Sequence, residues 1–274
     1  LYDAKPHIGT DILAKVVKNI REAIISMGGE VRFHTKVTGI RTKHSIDFSD
    51  EPALAMLHLE DTRTNIGEDL LTDVAILAIG HSARDTFGLL NLSDIKMEPK
   101  PFAVGVRVEH SQDMIDESQY GKNAPESLPA AAYKLTAKTK EGRGVYTFCM
   151  CPGGYVVNAS SEENRLAVNG MSYSGRNGKN ANSAVIVTVS PEDFPEKGIL
   201  GGLAFQRQLE EAAFAEGQGK IPVQLFGDFK KNVVSKEFGN VRPQTKGETA
   251  FANVREILPG EVADSIEEGI TAFE

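Results

Sequence analysis

The sequence predicts an α/β region followed by a mainly antiparallel β region, and three observations carry that prediction. Within the first hundred residues an amphipathic helical stretch is followed by β-type runs. One of these, Asp73-Val-Ala-Ile-Leu-Ala-Ile-Gly80, is an unbroken apolar stretch that ends in glycine, as a strand buried on both faces does. From Lys100 the texture changes to short runs rich in β-formers, separated by Gly, Pro, Asn and Ser.

Thr10 or Asp11 can cap a first helix whose apolar residues Ile12, Leu13, Val16, Val17, Ile20 and Ile24 fall on one face, and Gly28-Gly29 ends it. Glu30 to Thr38 then alternates as a strand, and Gly39 breaks the period in the manner of a bulge. A further strand is expected at Leu57-His58-Leu59, a turn at Asn65-Ile66-Gly67-Glu68, and a buried strand at Val74 to Ala78. In the second region, strands are expected at Phe102 to Val108, Ala132 to Leu135, Val145 to Cys149, Tyr155 to Asn158, Leu166 to Val168 and Ala184 to Val189. Helices are expected at Leu203 to Ala215 and Glu261 to Phe273.

With 274 residues the chain can bury a substantial core, as one large or two ordinary domains. A formal net charge of -8 argues against nucleic acid as the main partner, since a phosphate backbone is bound by surplus Lys and Arg. Two cysteines make no disulfide framework, which suits a reducing, cytoplasmic setting. No apolar run approaches the ~18 residues a membrane span needs, and there is no signal-peptide pattern, although the chain begins at Leu1. No metal-type Cys/His spacing, Walker loop, nucleophile elbow or Gly-x-Gly-x-x-Gly turn occurs, so the chain alone lacks the standard dinucleotide-binding turn.

Gly80 allows a ligand to approach the backbone, and His81, Ser82 and Arg84 offer donors just beyond it, an arrangement suited to phosphate or to an ordinary strand-end turn. Cys149 and Cys151, two apart on a strand, share a face, either as inert buried thiols or as a redox or nucleophilic pair that would need a positive neighbour. The run Asn169-Gly-Met-Ser-Tyr173, with Arg176 and Asn180-Ala-Asn182-Ser183, is a solvated hairpin or a ligand-facing loop. His7 sits just ahead of the first helix, and Glu109-His110 forms either an oriented base or a surface pair.

The strings Lys5-Pro-His-Ile-Gly-Thr-Asp11, Ala78-Ile-Gly-His-Ser-Ala-Arg-Asp85, Gly105-Val-Arg-Val-Glu-His110, Tyr146-Thr-Phe-Cys-Met-Cys-Pro-Gly-Gly-Tyr155 and Asn169-Gly-Met-Ser-Tyr173 resemble a bacterial family of FAD-dependent dehydrogenases, and the resemblance runs through essentially the whole chain. It implies a glutathione-reductase-like FAD fold, with residues 1–100 as the latter part of a Rossmann-like FAD domain and 101–274 as an inserted α+β substrate domain. The family's glycine fingerprint and its second glycine-rich FAD segment are expected outside this chain.

By the same resemblance Val37 meets adenine through its backbone, and Ala78, Ile79, Gly80, His81 and Ser82 stand where a strand-end Thr-Gly motif approaches FAD, with Ile79 in place of the usual Thr. His7, Cys149, Cys151, Asn169 and Arg176 are the substrate-side candidates, and no residue is assigned as catalytic acid or base. The implied activity is hydride or electron transfer from a small-molecule substrate to FAD, with NAD(P) as a compatible second cofactor, and the chain alone is expected to hold FAD weakly or not at all. The competing reading is a noncatalytic ligand- or partner-binding module on a flavoprotein-like fold.

Overall fold

A computed structural model describes residues 7–44, 52–93, 95–125 and 127–273. Lys5 and Pro6 of the first motif lie outside the described residues. The chain divides into a smaller unit, residues 18–99 and 195–203, and a larger one, residues 1–17, 100–194 and 204–274. Helix α1 (Thr10–Ser26) crosses that division.

Gly28, at φ 88, ends α1 in the left-handed region that a Cβ disfavours. Its start differs from expectation. The Leu13 amide bonds the Gly9 carbonyl at 3.0 Å, so Gly9 and not Thr10 opens the helix, and the Asp11 carboxylate is spent on Ser174. None of its residues is buried, and Ile12, Leu13, Val17 and Ile20 are each 44–58% exposed.

In the smaller unit, β1 (Thr35–His44), β2 (Pro52–Asp61) and β3 (Gly67–Leu71) form an antiparallel meander, followed by α2 (Arg84–Leu92). The first strand starts later than Glu30 because His34 takes φ 56, and a register shift between Val37 and Gly39 marks the bulge. Gly67 and Glu68, expected within the turn Asn65-Ile66-Gly67-Glu68, are instead the start of β3. The expected strand Val74 to Ala78 is corrected. Its backbone carries no ladder, and Val74, Ile76 and Leu77 are 77%, 91% and 54% exposed. An apolar run becomes a buried strand only where neighbouring strands take up its amides and carbonyls, and β3 ends its pairing at Leu71.

The larger unit adds β4 (Phe102–Ser111), α3 (Gln112–Tyr120), β5 (Thr136–Lys138), β6 (Gly144–Cys151), β7 (Tyr155–Asn158), β8 (Val168–Met171) and β9 (Asn180–Val189). Then come α4 (Gly201–Glu216), β10 (Ile221–Val223), α5 (Phe226–Lys230), β11 (Thr245–Lys246), β12 (Thr249–Phe251), α6 (Val254–Ile257) and α7 (Gly260–Phe273). An antiparallel four-stranded sheet runs β4-β9-β6-β5, a three-stranded sheet β11-β7-β8, and a parallel pair β10-β12. The mixed α/β content with mainly antiparallel sheets matches the expected class. Ala132 to Leu135 lies just outside the ladder that β5 begins, and β8 starts two residues after Leu166, whose side chain is instead buried with Ala213 and Ile221.

Alternation on the four-stranded sheet creates its main core. Phe102, Val104, Val106 and Val108 share a face with Val185, Val187, Val189 and Val145, and α7 covers that face with Val262, Ala263 and Ile266. Phe102, Phe194 and Phe205 close one end, with ring centroids 5.2–6.3 Å apart. Gly269 brings α7 onto β6, since a Cβ there would overlap the Val145 side chain, whereas one at Gly260 would meet nothing.

Gly269→Leu is therefore expected to destabilise the protein by about 1–3 kcal/mol in urea unfolding through overpacking. Gly260→Ala is expected to be neutral or to stabilise by up to about 1 kcal/mol. Equal effects of the two would show that α7 does not seat on Val145.

Candidate functional site

The polar residues of the larger unit converge on the other face of the same sheet. Arg107 and Glu109, two apart on β4, point away from the valine core, and their β9 partners are Ala184 and Asn182. The Arg107 guanidinium donates from Nε to Asn182 Oδ1 at 2.6 Å and from Nη2 to the Cys149 carbonyl at 2.5 Å and Cys151 Sγ at 3.2 Å. Gly170 on β8 admits it, because any Cβ there would occupy the guanidinium's space. Asn182 is fully buried, and its Nδ2 has no partner.

Sequence parity would put Cys149 and Cys151 on one face, and the structure corrects this. Before the irregularity, Val145 pairs with Val187 and Thr147 with Val185. After it, Cys151 pairs with Asn182. The extra residue of this bulge, with Cys149 at φ 44, moves Cys151 to the face of Arg107 and leaves Cys149 exposed. A positive neighbour is thus present for Cys151. Burial pushes the Cys151 thiol up, and Arg107 offsets this only in part.

Glu109 accepts from the Gln244 amide at 2.8 Å and from Asn180 Nδ2 at 3.2 Å, while burial raises its pKa above the usual carboxylate range. His110 does not pair with it. It lies on the opposite face, its Nε2 is 2.6 Å from the Tyr133 hydroxyl, and burial lowers its pKa while raising that of Tyr133 to about 12. The surface-pair reading of Glu109-His110 fails for a simple reason: strand neighbours face opposite ways.

The remaining substrate-side candidates gather around the turn after β6. Pro152, Gly153 and Gly154 are buried, and a Cβ on Gly153 would overlap the Arg176 carbonyl. Arg176, at φ 46, bonds the Tyr173 carbonyl through its amide, and His7 Nε2 lies 3.1 Å from the same oxygen. Asp11 accepts from the Ser174 amide and hydroxyl at 2.8 and 2.7 Å, and these bonds hold its pKa low. Asn169 is exposed and caps its own neighbour, donating nothing across the site. Lys246 lies over Tyr155 and Tyr173, 4.4 and 5.4 Å from the ring centroids.

Sequence reasoning missed Arg107 and Gln244, and met Asn182 only as part of a polar run that the structure places on β9. The signal for Arg107 was available in Gly105-Val-Arg-Val-Glu-His110, where alternation sets Arg107 and Glu109 on one strand face. Asn182 and Gln244 act through distant pairing, and Gln244 left no local trace.

In the smaller unit Val37 is half-buried, pairs with Leu59, and neighbours Lys36, whose Nζ is 2.6 Å from Asp85 at the start of α2. Ala78, Gly80 and His81 are exposed, and Ile79 and Ser82 half-buried. Gly80 takes φ 68 with no atom within 4 Å of where a Cβ would stand, so its backbone is open to a ligand. The described residues contain no cluster suited to a metal ion and no helix long and apolar enough to cross a membrane.

The smaller unit thus presents an exposed glycine, Gly80, and the larger a polar cluster beside an antiparallel sheet. The profile of the family "FAD-dependent protein, C-terminal domain-like" matches residues 101–274, and the chain belongs to this family. It is also 47% identical over 277 residues to an uncharacterised protein of Clostridium beijerinckii, a match that covers all of this chain and half of that relative's length. The chain therefore spans about half the length of the curated relative it matches.

With only Cys149 present (Cys151→Ser), iodoacetamide at pH 8 is expected to label the protein at least about tenfold faster than with only Cys151 present (Cys149→Ser). The raised thiol pKa means that Cys151 labelling increases only as pH climbs above the ordinary thiol range. Equal rates at pH 8, measured by intact mass, would place both thiols on the surface.

Proposed function

We propose that this chain supplies the latter part of an FAD domain, to about residue 100, and the substrate domain of an FAD-dependent oxidoreductase of the dehydrogenase type. The observation that supports this most is the family match over residues 101–274. The smaller unit adds a physical argument. Residues 73–80 form an extended apolar run with no pairing partner, as expected of a strand whose sheet, Rossmann-like in this reading, is completed by further polypeptide.

The residues present fit FAD in a limited way. Val37 and the 78–82 segment offer backbone in a strand and in an unpaired segment, and Gly80 leaves that approach free of a Cβ. They lack the glycine-rich turn that holds a pyrophosphate at a helix N-terminus, so affinity depends on residues beyond this chain. Bound flavin supplies the redox chemistry by accepting a hydride. The chain's own part is to orient a small-molecule substrate and exclude water, with the Arg107 guanidinium, Glu109 and Asn182 providing donors and an acceptor on the sheet face. Cys151, kept neutral by burial, serves as packing and as acceptor to Arg107.

A full-length protein of the kind the Clostridium relative represents is expected to purify with a flavin absorption spectrum that NADH or NADPH bleaches. A colourless protein that cannot be reconstituted with FAD would refute the oxidoreductase reading. In that protein Gly80→Val is expected to weaken FAD about thirtyfold to a thousandfold, on the order of 2–4 kcal/mol, with apo-protein melting measured alongside to separate unfolding from loss of contact. Unchanged FAD affinity in a folded Gly80→Val protein would remove the strand end from the cofactor site.

A further inference from the structure

A half-open cavity of about 500 Å³ lies in the larger unit, and Arg107 and Glu109, to which the proposed function gives substrate orientation, stand on its wall. It is lined from all three of that unit's sheets and from α4, α5, α6 and α7, including Val106, Val168, Leu209, Ala213, Val223 and Ile257. Its volume is within the range of small-molecule sites, about 300–1,000 Å³, and its wall is mainly aliphatic and aromatic. The charged residues on the wall are few. Arg107 and Glu109 come from successive same-face positions of β4, and Glu210 from α4.

Arg107 and Glu109 each keep one polar atom in reserve. Arg107 spends Nε and Nη2 on Asn182, Cys149 and Cys151, and Nη1 has no partner among the described residues. Glu109 receives both of its bonds at Oε1, and Oε2 has none. A half-buried donor beside a half-buried acceptor at the end of an apolar slot is complemented by a group that both accepts and donates. An alcohol does so without bringing a charge out of water, whereas a carboxylate would be desolvated and would face Glu109.

We infer that the larger unit binds, in this cavity, a neutral and mainly apolar molecule carrying a hydroxyl head, with the hydrocarbon among Leu209, Ala213 and Ile257 and the hydroxyl between Arg107 and Glu109. The binding stands on this unit alone. A protein that fails to reduce flavin and still binds the alcohol would sink the proposed function and leave this inference standing.

The test is titration of the chain with 1-octanol, read by calorimetry and by methyl NMR shifts. Saturable binding at one site is expected, with shifts at Val168, Ala213 and Ile257 and with octanoate at pH 8 bound at least about tenfold more weakly. Ala213→Phe and Leu209→Phe fill the space, so each is expected to keep its circular dichroism and melting temperature while lowering octanol affinity at least about tenfold. Ile20→Ser, on the exposed face of α1, is expected to change nothing. Absence of saturable binding, shifts confined to α1 methyls, or octanol affinity unchanged by both filling variants would overturn the site. Melting far below the parent in both filling variants would show that the space is not vacant and overturn it equally. Octanoate bound as tightly as octanol would overturn the hydroxyl assignment.

Discussion

Ten consecutive residue pairs run unbroken along β4 and β9, from Phe102 opposite Val189 to Ser111 opposite Asn180, and most of the larger unit is arranged around that ladder. Because strand side chains alternate, one register decision sorts two chemistries at once. Six valines and a phenylalanine go to the α7 side, and Arg107, Glu109 and Asn182 go to the other. A slip by one residue would bury the guanidinium under α7 and strand the valines on the polar face. The register is pinned by this cost and by Gly105, where any side chain would overlap the Val185 carbonyl.

Arg107 is the residue through which the second face is organised. Its bonds reach β9 at Asn182, and β6 at Cys149 and Cys151, while its plane rests over Gly170 of β8. Four strands of two sheets are thereby held by one side chain. Arginine suits this task because its planar fork of donors stays charged and needs little ordering for each bond it makes. Glu109 does the same work on a smaller scale, tying β4 to Asn180 and to Gln244 just before β11.

Much of this was legible in the sequence where the signal was local. The spans of α4 and α7 and of β7 followed from periodicity and turn residues, and the break at Gly39 was readable as a bulge. Two kinds of information were not local. The bulge at Cys149 changes the parity of β6 without a glycine to announce it, so the two cysteines appeared to share a face that they do not share. The run from Val74 has the composition of a buried strand, but composition states only what a segment can do when neighbours are present. For the candidate site, His7 and Arg176 were singled out for their types and meet at the Tyr173 carbonyl, whereas Asn182 and Gln244 acquire meaning only through pairings 75 and 135 residues away in the chain.

The exposed run from Val74 to Ile79 also has a consequence for how copies of this chain behave toward one another. Six uncharged residues with β-branched and aliphatic side chains and no proline, outside any strand ladder, make a template on which an identical segment can add in register. Charges flank the run at both ends, Asp73 held by Lys43 at 2.9 Å on one side and Asp85 held by Lys36 at 2.6 Å on the other. The colloidal stability of the isolated chain is thus a contest between that apolar edge and its flanking charges, and salt, by screening the charges, tilts it toward self-association.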